Sequence, residues 1–315
     1  MPFTLTDFLL GFLLPLVVAW GICAAAKWWS VRRECSCAGE RSLARFAAPL
    51  ALLVGFSAGY YSLGLGPIVP RFDRDWLAIA AWFAFPAAGL LATEPSKTKA
   101  AIAIAAAGIV GLAFLLVPTW ESVLPAITQY RLAFCAGAFA LFSMSMHSCS
   151  RLDRIAERKP EIDSRADAWV PLVEWLCVLL MLFACSALMA LSGSLGFATV
   201  AIAALGAGVG LLVVLASWGD TFGIRITSLV PVWTFLVSSL AFTAQVNSST
   251  SIPIAAYVIL PFAPAIGTYV LPRYGNPVRR RHLLLSLILC GMICGVAMGL
   301  AIGAQWDSLT SQQPY

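Results

Sequence analysis

The sequence predicts an all-α protein, a polytopic transmembrane helical bundle of about ten spans that forms one integral membrane domain over residues 1–315. Composition gives the first indication, since 60% of the residues are hydrophobic and only 11% are charged. Soluble domains have about 25% charged residues, and the mean hydropathy here is +0.87. The polar residues are too few to cover a soluble domain, so lipid is the predicted solvent for most of the chain.

Ten apolar windows, each of about 17–23 residues, give the number of spans. A helix of that length crosses about 30 Å of hydrocarbon at about 1.5 Å per residue. Because a chain in lipid must satisfy its own backbone hydrogen bonds, these windows are predicted to be helices. The predicted spans lie near residues 8–26, 46–66, 76–92, 100–118, 132–149, 170–191, 195–217, 227–245, 253–271 and 283–304.

The first span is predicted to stay in the mature protein. The segment before it, "MPFTLTD", carries no positive charge, and Lys27, Arg32 and Arg33 follow the apolar run. A cleaved secretory signal has the opposite polarity, with its positive charges first.

Loop charges predict the orientation. With ten spans, alternate loops hold 17 Lys and Arg residues on one side and 3 on the other. The richer side is expected to be cytoplasmic, so both termini are predicted to be non-cytoplasmic. The net charge of +5 follows from these loops, so the predicted partner is the lipid bilayer, with no nucleic acid. Arginine outnumbers lysine 16 to 4, which favours a multi-pass protein of a bacterial inner membrane.

The last span carries a glycine at every fourth position: Gly291, Gly295, Gly299 and Gly303. Small residues let helices approach closely in lipid, where hydrophobic association contributes little. The stripe therefore predicts close packing along most of this helix, with a helix of the same chain favoured over another chain. On this basis Gly295→Leu and Gly299→Leu are expected to disrupt the fold more than Leu284→Ala or Leu300→Ala.

Cysteine and methionine recur every four residues on two spans, in positions that favour packing but also suit a soft metal ion. Thiolates and thioethers are ligands for Cu(I), yet both residue types are also common apolar fillers of helix interfaces. The packing interpretation is preferred, and no metal site is predicted. The residues are Cys177, Met181 and Cys185 on the sixth span and Cys290, Cys294 and Met298 on the tenth.

Two further features mark candidate substrate-binding residues. Glu174 is an acidic residue inside the sixth span, where ionisable groups are costly and often functional. It lies about five residues past Trp169, so a boundary position reached by snorkelling is an equal alternative. In the ninth span, Pro261 and Pro264 each remove a backbone donor. They predict a helix break of the kind that builds transporter sites.

Two functions remain open from the sequence. The ten spans and the broken ninth helix favour a transporter or exporter of a small solute, with its site at that break. The scarcity of polar residues within the spans favours a non-catalytic scaffold or assembly partner of a larger complex. "GFSAG" at residues 55–59 lies within a span and lacks the strand–turn–helix context of a nucleophile elbow. Neither an enzyme nor a cofactor is predicted, and the substrate and oligomeric state stay open.

Overall fold

The computed structural model describes residues 4–32, 37–67, 69–71, 73–93, 97–117, 126–156, 169–222, 226–248, 251–269 and 280–310. The secondary structure within these ranges is helical, with no strand. We number the main helices α1 Leu5–Arg32, α2 Cys37–Ser62, α3 Leu77–Thr93, α4 Thr98–Leu116, α5 Ile127–Ala156, α6 Val170–Leu191, α7 Leu195–Phe222, α8 Val230–Val246, α9 Ile254–Tyr269 and α10 Arg280–Thr310.

Six of these helices, α1, α4, α5, α6, α7 and α10, are long and apolar enough to cross a membrane. The described part of the chain is therefore all-helical, and its six long apolar helices are consistent with a membrane protein, as its composition predicts. Helices α3, α8 and α9 are apolar but shorter, at 10–17 residues. The number of ten spans and the sides of the termini stay predictions. Several of the basic residues that predict the sides, among them Arg158, Lys159 and Arg273, lie outside the described residues.

Helices α6 and α7 form the buried centre of the bundle. Helix α7 packs against α1, α2 and α6, and α6 packs in turn against α10. Helix α8 is buried along nearly its whole length and contacts α3, α4, α5 and α9. A single apolar core runs through both groups of helices.

Glycines allow the backbones of α1, α2 and α7 to come into contact. A Cβ added at Gly55 on α2 would lie 2.8 Å from the carbonyl oxygen of Pro15, and one at Gly210 on α7 would lie 2.5 Å from that of Leu16. The methyl group of Ala19 would be 3.1 Å from either added atom. Any side chain at these positions would push the three helices apart.

The glycine stripe of α10 makes no comparable contact within the chain. A Cβ at Gly291 would meet only the Leu180 side chain, at 3.7 Å, and one at Gly295, Gly299 or Gly303 would have nothing within 4 Å. Among the described residues, the favoured prediction that this stripe packs against a helix of the same chain is therefore wrong, and packing against another chain stays a prediction. Helix α10 instead turns another face toward α6 and α9. The buried residues of that face include Ser286, Cys290, Cys294, Ala297 and Ala301.

We expect Gly210→Leu to lower the melting temperature of the detergent-solubilised protein, because overpacking costs about 1–3 kcal/mol or more. Gly295→Leu is the matched control and is expected to melt like the wild type, since its side chain points into open space. Leu284 and Leu300 are exposed, so Leu284→Ala and Leu300→Ala are still expected to have small effects. Equal melting temperatures for the two glycine variants would contradict the contact between α1 and α7.

Candidate solute-binding site at the broken helix

Helix α9 is interrupted at the position that its prolines predict. An α-helical segment, Ile254–Ile259 (α9a), leads into a 3₁₀ turn at Leu260–Phe262, and a second α-helical segment follows at Ala263–Tyr269 (α9b). The Ala263 N–H donates to the Leu260 carbonyl oxygen, which closes the tighter turn. Pro261 and Pro264 lack N–H groups and cannot continue a regular ladder of i to i−4 bonds.

A cavity of about 330 Å³ lies beside this break, between α5, α8 and α9. Phe134 and Leu141 of α5, Ser238 and Phe242 of α8, and Pro261 of α9 all form part of its wall. Ligand pockets commonly span about 300–1,000 Å³, so the cavity has the size of a site for a small molecule.

The polar side chains of the cavity lie mainly at one end. Gln129 and Tyr130 come from the first turn of α5, and Gln245 comes from the last turn of α8. Tyr257 of α9a also lines the cavity, and its hydroxyl donates to Ser248 Oγ at 3.3 Å. Amide and phenol groups therefore lie around this end, which we call the mouth, and the remaining wall is mostly aliphatic and aromatic.

Two hydroxyl groups extend inward along α8. Ser238 lines the cavity, and its Oγ is buried without a hydrogen-bond partner among the described residues. Thr234 lies one helical turn farther in, is fully buried, and also has an Oγ1 without such a partner. A buried hydroxyl left unsatisfied costs about 1–3 kcal/mol. Ser238 therefore brings an unsatisfied hydroxyl to the residues of the cavity wall, whereas Thr234 does not line the cavity.

Glu174 lies inside the bundle rather than at its boundary. Its side chain is only 3% exposed, and Oε1 accepts a hydrogen bond from the Cys149 thiol at 2.7 Å. This burial argues against snorkelling along the protein surface, while the depth of Glu174 in the membrane stays a prediction. Next to Cys149 on α5, Ser148 Oγ lies 2.5 Å from Oγ1 of Thr268 on α9b. We call Ser148, Cys149, Glu174 and Thr268 the inner polar layer.

The inner polar layer is tied to the second proline of α9. Thr268 donates to the Pro264 carbonyl oxygen at 2.9 Å, so its own oxygen accepts from Ser148. Ser148 lies seven residues beyond Leu141 on α5, or about 10 Å farther along the helix axis. The structure therefore separates the predicted site residues. Pro261 lines the cavity, Glu174 belongs to the inner polar layer, and the Pro264 carbonyl oxygen accepts a hydrogen bond from Thr268 of that layer.

The cysteine and methionine residues of α6 and α10 meet at the interface between those helices. The Cys290 thiol donates to the Cys177 carbonyl oxygen at 3.5 Å, and Cys177 Sγ lies 3.9 Å from Ser286 Oγ. Met181, Cys185 and Cys294 are buried, and Met298 is half-buried. Within the described part of the chain, no group of three or more His, Cys, Asp or Glu side chains is placed to hold a metal ion.

Several residues of the site escaped the sequence analysis. Gly267 brings α9b onto α10, where an added Cβ would lie 2.9 Å from the Ser286 carbonyl oxygen and 3.0 Å from Cys290 Cβ. Thr234 and Ser238 were also missed, although "TFLVSSLAFT" at residues 234–243 places four hydroxyl residues within one predicted span. Four hydroxyl residues so close together in one membrane helix could have indicated that polar groups line a cavity there.

No protein-family model, no curated protein and no solved structure matches this chain. The function of the site therefore has to be inferred from the cavity, the helix break and the inner polar layer.

We expect Thr268→Val to lower the melting temperature of the solubilised protein. Valine keeps the shape of threonine but leaves the buried Ser148 hydroxyl without its Thr268 partner, at a cost of about 1–3 kcal/mol. Thr93→Val is the control, because Thr93 is exposed and bonds only carbonyls of its own helix. If both variants melt alike, the hydrogen bond between α5 and α9b contributes nothing to the fold.

Proposed function

We propose that the protein is a transporter or exporter of a small solute, and that the cavity at the break of α9 is its outer binding site. The observation that carries this proposal is the position of Pro261, which interrupts the helix and also forms part of the cavity wall. Discontinuous helices recur at transporter sites because the interrupted backbone leaves polar groups that can face the solute. Glu174 and Pro264 act in the proposal as deeper site residues, which the solute meets after the cavity.

The predicted topology gives this arrangement a direction. With ten spans and non-cytoplasmic termini, α5 and α9 run inward and α8 runs outward. The cavity mouth at Gln129 and Gln245 then faces the non-cytoplasmic side. The inner polar layer lies toward the cytoplasmic side, where the hydrogen bond between Ser148 and Thr268 joins α5 to α9b. These positions support an outward-facing state that is closed on its inner side.

The transport proposal is tested by filling the cavity. Ala138 lines the cavity and is 5% exposed, whereas its neighbour Phe139 is 44% exposed on the outer surface of α5. In reconstituted vesicles given a pooled panel of small metabolites and ions, the wild type is expected to move at least one solute. We expect Ala138→Trp to reduce that flux about tenfold or more, since about 1.4 kcal/mol of lost binding corresponds to a factor of ten.

Phe139→Trp is the matched control and is expected to keep the wild-type flux, with insertion and orientation of all three proteins verified by protease accessibility. No flux for any solute of the panel, or equal flux for Ala138→Trp and the wild type, would refute the proposal. In that event the alternative function gains support. A scaffold or assembly partner would co-purify from native membranes with a second protein in fixed stoichiometry.

The helix break is tested separately, by Pro261→Ala. Alanine restores the missing N–H and favours a continuous helix, because proline is about 3 kcal/mol less favourable than alanine inside a helix. The variant is expected to retain solute binding but to transport more slowly, since α9a and α9b lose the joint between them. Pro253→Ala, at the cap of the same helix, is the control and is expected to transport normally. Unchanged flux in Pro261→Ala would show that the break is only structural.

A further inference from the structure

The described residues that line the cavity include no charged side chain. Arg131, the charged residue next to Tyr130, has its guanidinium over the Phe114 ring of α4, 4.5 Å from the ring centroid, and does not line the cavity. Moving an ion out of water is strongly unfavourable unless an opposite charge or several hydrogen bonds compensate. The cavity offers no such compensation deep in its wall, which argues against a charged solute.

The cavity lining has an apolar region and a separate polar region. The Phe134 and Phe242 rings have centroids 4.9 Å apart at an interplanar angle of 55°, and with Leu141 they line the space beyond the mouth. Flat or branched apolar groups pack well against such rings. The amides of Gln129 and Gln245 lie at the mouth, where they can exchange hydrogen bonds with a solute as it leaves water.

Ser238 provides the deep polar contact. The residue lines the cavity, while its Oγ is buried behind the wall and has no hydrogen-bond partner among the described residues, so a rotation about χ1 brings it to a solute in the cavity. A hydroxyl both donates and accepts hydrogen bonds, so it can pair with a neutral hydroxyl or amide of either polarity. A single hydrogen bond of this kind compensates a neutral group but falls short of what a full charge requires.

We infer that the solute is a neutral amphiphile, with a compact apolar body that packs against the paired rings of Phe134 and Phe242 and one hydroxyl or amide group that bonds Ser238. This inference rests on the proposed function and names the solute class of the same site. Ser239 supplies a matched control, because its Oγ is also buried without a partner, yet Ser239 does not line the cavity.

Three probes of nearly equal size test the solute class: 1-naphthol, naphthalene and 1-naphthoate, which is anionic at neutral pH. Equilibrium dialysis against the full chain in phosphatidylcholine nanodiscs, corrected with protein-free nanodiscs, measures their binding. The wild type is expected to bind 1-naphthol about three- to tenfold more tightly than naphthalene, the range set by one net hydrogen bond. It is expected to bind 1-naphthoate most weakly. Ser238→Ala should abolish the preference for 1-naphthol, and Ser239→Ala should keep it.

Equal binding of 1-naphthol and naphthalene by the wild type, a preference for 1-naphthoate, or no binding of 1-naphthol would each overturn the solute class. So would a preference that survives in Ser238→Ala. None of these results changes the flux comparison between Ala138→Trp and Phe139→Trp, which tests the transport proposal. The two proposals can therefore fail independently.

Discussion

The arrangement of the bundle depends on the backbone contact of α1 with α2 and α7. Helices in lipid gain little from hydrophobic association, so close van der Waals packing decides which helices are neighbours. At this contact the carbonyl oxygens of Pro15 and Leu16 face Gly55 and Gly210, with no side chain between them. Helix α7 is fixed there, and through it α6, against which α9b and α10 pack. The position of the inner polar layer therefore depends on Gly55 and Gly210, which lie at the contact of α1 with α2 and α7.

The break in α9 gives one helix two different surroundings. Its first segment, α9a, and the 3₁₀ turn border the cavity, where Tyr257 and Pro261 face aromatic and amide groups. Its second segment, α9b, is held at two points, by Gly267 against α10 and by the bond of Thr268 to Ser148. The first segment therefore contributes to a binding wall while the second stays packed.

Much of the fold class follows from composition and length, because a chain segment that crosses lipid must satisfy its backbone hydrogen bonds and has few alternatives to a helix. The break at Pro261 was also predictable, since proline acts on its own backbone. The neighbours of each helix could not be predicted from the sequence. Gly295 and Gly210 look alike in the sequence, yet only Gly210 meets another helix. The pattern of small residues shows where a close contact is allowed, and the partner depends on the packing of all the helices together.

The same limit applies to the site. Glu174 stood out because a charge in a membrane span is costly, but its contact with Cys149 joins residues 25 positions apart. Ser238 did not stand out, because a serine in a membrane helix can usually bond a carbonyl of its own helix. Only the structure shows that its hydroxyl makes no such bond. The free-energy cost of burying a hydroxyl without a hydrogen-bond partner therefore cannot be predicted from residue types alone.

The open glycine stripe of α10 has a consequence for the lipid around the protein. Gly295, Gly299 and Gly303 form a furrow on an outer face, flanked by the exposed side chains of Met292, Val296 and Leu300. From Gly295 to Gly303 the furrow is about 12 Å long at about 1.5 Å per residue, most of the thickness of one leaflet in a hydrocarbon core of about 30 Å. A lipid chain lying along it would touch the glycine backbone and the side chains beside it. The boundary lipid at this face is therefore expected to exchange with the bulk bilayer more slowly than lipid at the leucine-rich faces.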